Sequence, residues 1–194
     1  FNDDQKSYLL EIQKASSEMA HLLDTLLRVA RLDDGGMLIE RKQVDIVDVL
    51  GRIFGEVKES NKNEKITFRS NLPKGPIMVS TDTVLFPIVM QNLITNAMKY
   101  SPDGGEIAME LEQQNEKVLV RVSDHGLGIS AEEQARVFQK FFRAKNSRHM
   151  LTSGTGLGLY LSKRIMERLG GTLTFQSVEN EGTTFTATLT QEEK

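Results

Sequence analysis

The sequence contains no cysteine. It can therefore hold neither a disulfide framework nor a thiolate metal site, and its composition suits a reducing compartment. It also lacks any apolar run approaching the ~20 residues that cross a bilayer, so the expectation is a soluble piece that makes no membrane contact of its own. Excess basic charge is missing as well: the formal net charge is −3, and nothing points to a nucleic-acid partner. No internal repeat or low-complexity tract appears. An initiator methionine and a signal-peptide pattern are absent at Phe1, which reads as an excised fragment or a processed product. What is present is ordinary for a globular chain, 39% hydrophobic and 26% charged over 194 residues, enough for one core plus an appendage.

Proline and glycine are absent from residues 4 to 33, where apolar side chains fall at Tyr8, Ile12, Ala15, Met19, Leu22, Leu26 and Val29. That alternation of four and three is a heptad seam, widened by Leu9, Leu23 and Leu27. Such a helix cannot hide its stripe alone and expects a coiled-coil or bundle partner. Gly35-Gly36 ends it, as glycine does past a helix C-terminus, and sets a boundary between a domain of residues 1–36 and one of residues 37–194. The second domain alternates strands and helices. Met37 to Asp45 is strand-like, and Ile46 to Glu59 is helical with Ile46, Val49, Leu50, Ile53 and Val57 on one face. Ile66 to Ser70 and Ile77 to Ser80 are short strands. A helix over Thr83 to Tyr100 takes Asp82 as its cap, with Pro87 slightly deep in its first turn. Glu106 to Glu112 and Val118 to Val122 form a hairpin around Gln114-Asn115, Leu157 to Leu169 is a helix, and Thr172 to Ser177 with Thr183 to Thr190 are strands around Glu181-Gly182. The sum is an α+β fold, a two-layer α/β sandwich in which a mixed sheet carries helices on one face, preceded by one long helix.

Four segments carry the candidate chemistry. In Asn92-Leu-Ile-Thr-Asn96-Ala97-Met-Lys99-Tyr100, two amides stack on one helical face with an ammonium one turn on, while Leu93, Ile94, Ala97 and Met98 supply the buried face. An amide oxygen is a neutral hard ligand for Mg²⁺, which keeps several waters and is shared with substrate phosphates. An isolated N-x-x-x-N describes solvated asparagines, or a buried pair serving backbone groups, equally well. Asp124-His125-Gly126-Leu127-Gly128-Ile129 follows a strand; its carboxylate can accept from an exocyclic amine such as that of adenine, and its glycines leave room for a planar base, although a plain turn has the same signature. Phe138-Gln-Lys140-Phe141-Phe142-Arg143 closes a short helix that begins near Ala131, its three phenylalanines plugging a loop base into the core. From Arg143 to Ser153 the chain carries Arg143, Lys145, Arg148 and His149 without an acid, a natural cover for polyphosphate. Gly154-Thr-Gly156-Leu-Gly158-Leu-Tyr160 opens a helix with glycines at alternate positions, freeing backbone N–H groups for an anion. It is neither a dinucleotide fingerprint nor a P-loop.

In this order the four segments resemble the N, G1, F and G2 boxes of the histidine kinase branch of the GHKL ATPases, over about residues 37 to 190. The resemblance implies a catalytic ATP-binding domain using ATP and Mg²⁺. Asn96 would coordinate the metal with Asn92 assisting, Lys99 and Arg143 would meet the phosphates, and Tyr100 would lie near the nucleotide. Asp124 would read the adenine amine, with Gly126, Gly128 and Ile129 at the base pocket. Gly154, Thr155, Gly156, Leu157 and Gly158 would hinge a lid and approach the phosphates. Leu23 to Leu32 is similar to the end of the second helix of the family's dimerisation and phosphotransfer hairpin. The phospho-accepting histidine belongs to the first helix, followed by an acid, a context that His21, His125 and His149 all lack. The implied protein is thus a cytoplasmic sensor histidine kinase portion, with inner-membrane anchoring of the whole left open. It would be unable to phosphorylate itself alone; the intact protein would be homodimeric through the hairpin and would relay phosphate to a response regulator receiver domain. Three other readings stand beside this one. A GHKL ATPase of the chaperone or mismatch-repair type needs a glutamate one turn before the asparagine, where Asn92 and Gln91 stand. The others are an anti-sigma-like protein serine kinase and a nucleotide-controlled binding module without turnover.

Overall fold

A computed structural model of the chain describes residues 2–33, 38–101, 103–145 and 155–191. A five-stranded sheet of order β2-β4-β5-β7-β6 organises it, built from β2 (Ile66–Asn71), β4 (Gly105–Gln114), β5 (Lys117–Asp124), β6 (Thr172–Val178) and β7 (Gly182–Thr190). β2 and β4 run parallel, and every other neighbouring pair in this sheet is antiparallel. The sheet is therefore mixed, and the fold is α+β as the strand and helix alternation predicts. Alternation along the strands decides which face is covered. Met109 sits opposite Val122, Val120 opposite Ala187, and Leu173 also opposite Ala187, and all of these side chains are buried. The residues between them, Arg121, Ser123, Thr184 and Thr186 among them, are only partly covered. One face is apolar up to the Asp124–Thr183 pair at its end because side chains two apart share it.

Three helices cover that face: α2 (Ile46–Ser60), α3 (Leu85–Lys99) and α5 (Gly158–Arg168). α2 buries Ile46, Leu50, Ile53, Phe54 and Val57, and its N-terminal Val47 N–H is capped by Asp45. In α3 the observed start removes the difficulty of Pro87. The helix begins at Leu85, so Pro87 falls among the first four residues, whose N–H groups have no intrahelical partner. Asp82 does act as a cap: its Oδ1 accepts from Val84 N at 2.8 Å and Leu85 N at 2.9 Å, and its Oδ2 from Glu40 N at 2.9 Å. Burial pushes this carboxyl up, but the three backbone donors, with Lys42, outweigh it and hold it below the usual carboxylate value.

Three features depart from the sequence reading. β1 (Arg41–Asp45) and β3 (Met78–Asp82) do not join the main sheet but pair antiparallel as a separate two-stranded ribbon. β1 begins at Arg41 because Glu40 N–H is taken by the Asp82 carboxylate. The helix near Ala131 is a single turn, α4 (Ala131–Gln134), and the chain continues through i→i+3 bonds from Arg136 N, Gln139 N and Phe142 N. In that segment Phe138 packs edge-on to Phe175 and Phe142 reaches the core. Phe141 does not: its φ is +61° and its ring is 60% exposed, so two phenylalanines plug the loop base rather than three. Gly35-Gly36, Gly154 and the basic run through Arg148 and His149 lie outside the described residues.

α1 (Asp3–Asp33) precedes the sandwich and meets it through α5. Thr25 and Val29 are buried, whereas Tyr8, Leu9, Ile12, Met19, Leu23 and Leu27 remain exposed. Among the described residues no helix is long and apolar enough to cross a membrane.

Candidate active site

A cleft of about 610 Å³, counted out to its open mouth, lies between α3, the loop after β5, the 137–144 segment, the start of α5, and β7. Its mostly apolar walls with a few convergent polar groups suit a small organic ligand. Ala97, Val137, Phe142, Leu159 and Phe185 form apolar surface, with Asn96, Tyr100, Asp124, Arg143 and Thr183 as the polar members. One element from each of the four sequence segments is therefore present, brought together from the end of a helix, a strand end, a turn and a helix start.

Asp124 ends β5 and is buried. Burial pushes its carboxyl up to about 6, although the backbone N–H groups of Gly126 and Thr183 and the neighbouring His125 pull the other way. Gly126 N donates to Oδ1 at 2.9 Å. A buried carboxyl so held is a good acceptor for a donor entering the cleft. Tyr100 is also pushed up by burial, with Arg143 opposing. Asn96 lines the cleft, and its Nδ2 lies 3.5 Å from Asn92 Oδ1. Asn92 is not a lining residue; its own Nδ2 donates to Ser162 Oγ on α5 at 2.9 Å. Lys99 sits with its ammonium 5.9 Å from the centroid of the Tyr100 ring. His125 turns away, its ring nitrogen 3.1 Å from Glu106 O.

The glycines serve a different purpose from the one expected. A Cβ on Gly126 would meet Tyr100 O at 2.0 Å, and one on Gly128, whose φ is +57°, would meet Val178 O at 1.9 Å. Leu127 N donates to Tyr100 O, and Asn180 N to Leu127 O, so this loop is clamped backbone to backbone between the end of α3 and the β6–β7 turn. Gly128 and Ile129 do line the cleft, but Gly126 does not. Gly156 has φ +69° and abuts the backbone of Phe141 and Phe142. Leu157 is fully buried, its N–H bonded to Thr155 Oγ1, and Gly158 opens α5. Thr155 to Gly158 thus lie behind Leu159 rather than in the wall of the cleft. Sequence reasoning missed Thr183 and Phe185 on β7 and Leu159 on α5. Thr183 enters because it pairs with Asp124 across the strands, a relation that no local pattern carries.

The sequence profile of the histidine kinase-, DNA gyrase B-, and HSP90-like ATPases matches residues 81–193. The chain belongs to this ATPase family. It is 31% identical to the sensor histidine kinase WalK of Bacillus subtilis (strain 168) over 189 residues, which cover 96% of this chain and 31% of that protein. The chain thus spans about a third of the length of this relative. The catalytic domain of histidine kinase ThkA superposes with a TM-score of 0.68 at 25% identity, over 78% of this chain and 98% of that one. ShkA, in a structure with AMPPNP, matches in fold with a TM-score of 0.79 at 22% identity, over 100% of this chain and 41% of that one. The chain thus carries an ATP-binding domain of this family, and the mixed sheet with helices on one face is the fold of its histidine kinase catalytic domains.

No group of three His, Asp or Glu able to hold a metal ion occurs among the described residues. Mg²⁺ fits the site in another way. With Asn96 Nδ2 turned towards Asn92, its Oδ1 is left as a hard neutral donor at the cleft, one ligand for an ion that takes the rest from phosphate and water.

Proposed function

We propose that the chain is the ATP-binding catalytic part of a two-component sensor histidine kinase and transfers the γ-phosphoryl group of Mg²⁺–ATP to a histidine outside this chain. The observation that carries the reading is the pairing, in one cleft, of a buried carboxylate at Asp124 with an amide at Asn96. The first suits an adenine amine and the second a phosphate-bound cation. Similarity to WalK over nearly the whole chain supports it, as does the AMPPNP bound by ShkA, a protein of the same fold.

Phosphoryl transfer asks the protein mainly for position and charge neutralisation. Asp124 accepts a hydrogen bond from the exocyclic amine and so sets the depth of the base against Ile129, Val137 and Phe142. Asn96 holds the metal at the phosphates, with Asn92 behind it. When held there, Mg²⁺ would supply neutralisation of the developing phosphate charge. Arg143 reaches the γ-phosphate, and Lys99 adds a cation beside Tyr100. The acceptor nitrogen forms its bond to the γ-phosphorus as the bridging oxygen departs with ADP. The phosphoryl group then passes to an aspartate of a response regulator receiver domain. Residues 1–36 are the second helix of the dimerising hairpin and residues 37–194 the catalytic domain. The exposed side chains of Ile12, Met19, Leu23 and Leu27 fit such pairing.

Titration calorimetry with a non-hydrolysable ATP analogue tests the site: binding strengthened by Mg²⁺ is expected, and Asn96→Ala removes that gain. With labelled ATP the chain alone should stay unlabelled. Stable acid-labile label on His21 would overturn the acceptor assignment, and fast hydrolysis would favour an ATPase instead.

A further inference from the structure

The side-chain bridge between α3 and α5 has no role in the chemistry above, yet its geometry is specific. Ser162 is 1% exposed, and its Oγ accepts from Asn92 Nδ2 at 2.9 Å. One turn earlier on α5, Gly158 makes room for the other end of the same amide, since a Cβ there would lie 2.4 Å from Asn92 Oδ1. Gly158 and Ser162 thus grip one amide, by its oxygen and its nitrogen respectively.

We infer that Ser162 is a positioning residue for Asn96, acting through Asn92; the inference rests on the reading that Asn96 holds Mg²⁺. The two ends of an amide have almost the same shape but opposite hydrogen-bonding character. The helix end gives Asn92 its orientation, and the Ser162 hydroxyl, which can donate or accept, pins the amide in place. The amide nitrogen meets the buried hydroxyl oxygen. The amide oxygen lies at the N-terminus of an 11-residue helix, where first-turn N–H groups and the positive end of the dipole favour oxygen over NH₂. That choice is passed on. With its oxygen towards Asn96, Asn92 can only accept, so Asn96 must turn its own Nδ2 inward. The contact is 3.5 Å, at the outer limit of a hydrogen bond, and it orients more than it binds. Asn96 Oδ1 is thereby presented to the cleft. Were Asn92 reversed, NH₂ would face NH₂, and Asn96 would relieve the clash by turning its own NH₂ towards the metal, which that group cannot ligate because its lone pair is delocalised into the carbonyl. The donor order is therefore set two side chains away from the ion, the role that outer-shell partners play around metal ligands.

The test measures ADP affinity of the full 194-residue chain with and without Mg²⁺, with thermal unfolding to confirm that each variant is folded. Ser162→Ala should lose about tenfold or more of the magnesium-dependent gain, the scale of losing an outer-shell partner, while magnesium-free affinity stays as in the parent. In an Asn92→Ala background, Ser162→Ala should add nothing. Ser162→Thr, which keeps the hydroxyl, should retain the magnesium gain, so that the proposal does not depend on one variant folding. Full retention of the magnesium gain in Ser162→Ala overturns it, as does equal loss with and without Mg²⁺, or additivity with Asn92→Ala. Asn96→Ala separates the two levels. If it keeps the magnesium gain, the metal assignment falls and the relay with it. If it loses the gain while Ser162→Ala does not, only the relay falls.

Discussion

Burial, and the small number of donors that reach it, hold the Asp124 carboxyl at about 6 against an ordinary value of 3.8. The folded state therefore binds this proton more tightly than the unfolded one. Its contribution to stability is fully present below about pH 4 and is lost as pH rises through about 6, a difference of about 3 kcal/mol at neutral pH. Asp124→Asn, which cannot ionise, should accordingly be more stable than the parent at pH 7 and nearly equal to it at pH 4, as read by urea denaturation at both values. The carboxylate is the form that serves the ligand, so ADP affinity should fall as pH drops through about 6. Asp124→Ala should lower it about ten- to hundredfold, the worth of a hydrogen bond to a charged group. A flat pH profile of binding between 5 and 7.5 would remove Asp124 from the base pocket. The carboxylate was legible in the sequence because it follows an alternating strand. Its raised value was not, because burial comes from β7 and from the loop after β5, elements about 60 residues apart.

Helices and turns divide into those whose glycines are needed and those whose glycines are spare. Gly55 lies inside α2, where an added Cβ would meet nothing within 4 Å. Gly55→Ala should stabilise the chain by about 0.5–1 kcal/mol, seen as a higher midpoint in thermal unfolding with ADP affinity unchanged. Gly128 is the opposite case. At φ +57° and with Val178 O in the way, Gly128→Ala should cost at least about 1–3 kcal/mol, the scale of a strained backbone position, before any displacement of the β6–β7 turn is counted. Gly128 stands in a segment the sequence marks and Gly55 does not, but only the neighbouring backbone shows that a side chain is barred at one and tolerated at the other. Asp82 works at the same scale, since one side chain closes the N-terminus of α3 and ties the segment before β1 to it. Removing it by Asp82→Ala strands three backbone donors and should cost about 2 kcal/mol or more. Because its carboxyl is held low in the folded state, the difference from the parent should be full at neutral pH and shrink as pH falls through the folded value, below 3.8. A stability gap undiminished at pH 2 would show that packing, not the charged cap, was lost.

At the scale of the whole molecule, the apolar stripe of α1 is unsatisfied within one chain. Ile12 is 65% exposed and Met19 is 64% exposed, while Thr25 and Val29 are already used against α5. Self-association through the N-terminal two-thirds of α1 is therefore expected, and Ile12→Glu with Met19→Glu should shift the chain to monomer in sedimentation equilibrium without changing nucleotide affinity. An unchanged mass would assign that stripe elsewhere. The heptad periodicity made this helix readable from sequence, as the period of two did for β4, β5 and β7, because burial on one face imposes a repeat on a single stretch of chain. The sequence by itself determined the α+β class, the order of the elements and the four segments that meet at the cleft. Tertiary structure alone decided that β1 and β3 leave the main sheet, that Phe141 turns outward, that Thr183 and Phe185 join the site, and that Gly126 is pressed against Tyr100 rather than open to a base. Each of those depends on which backbone lies alongside, and contacts between segments distant in the chain leave no periodic trace in either one.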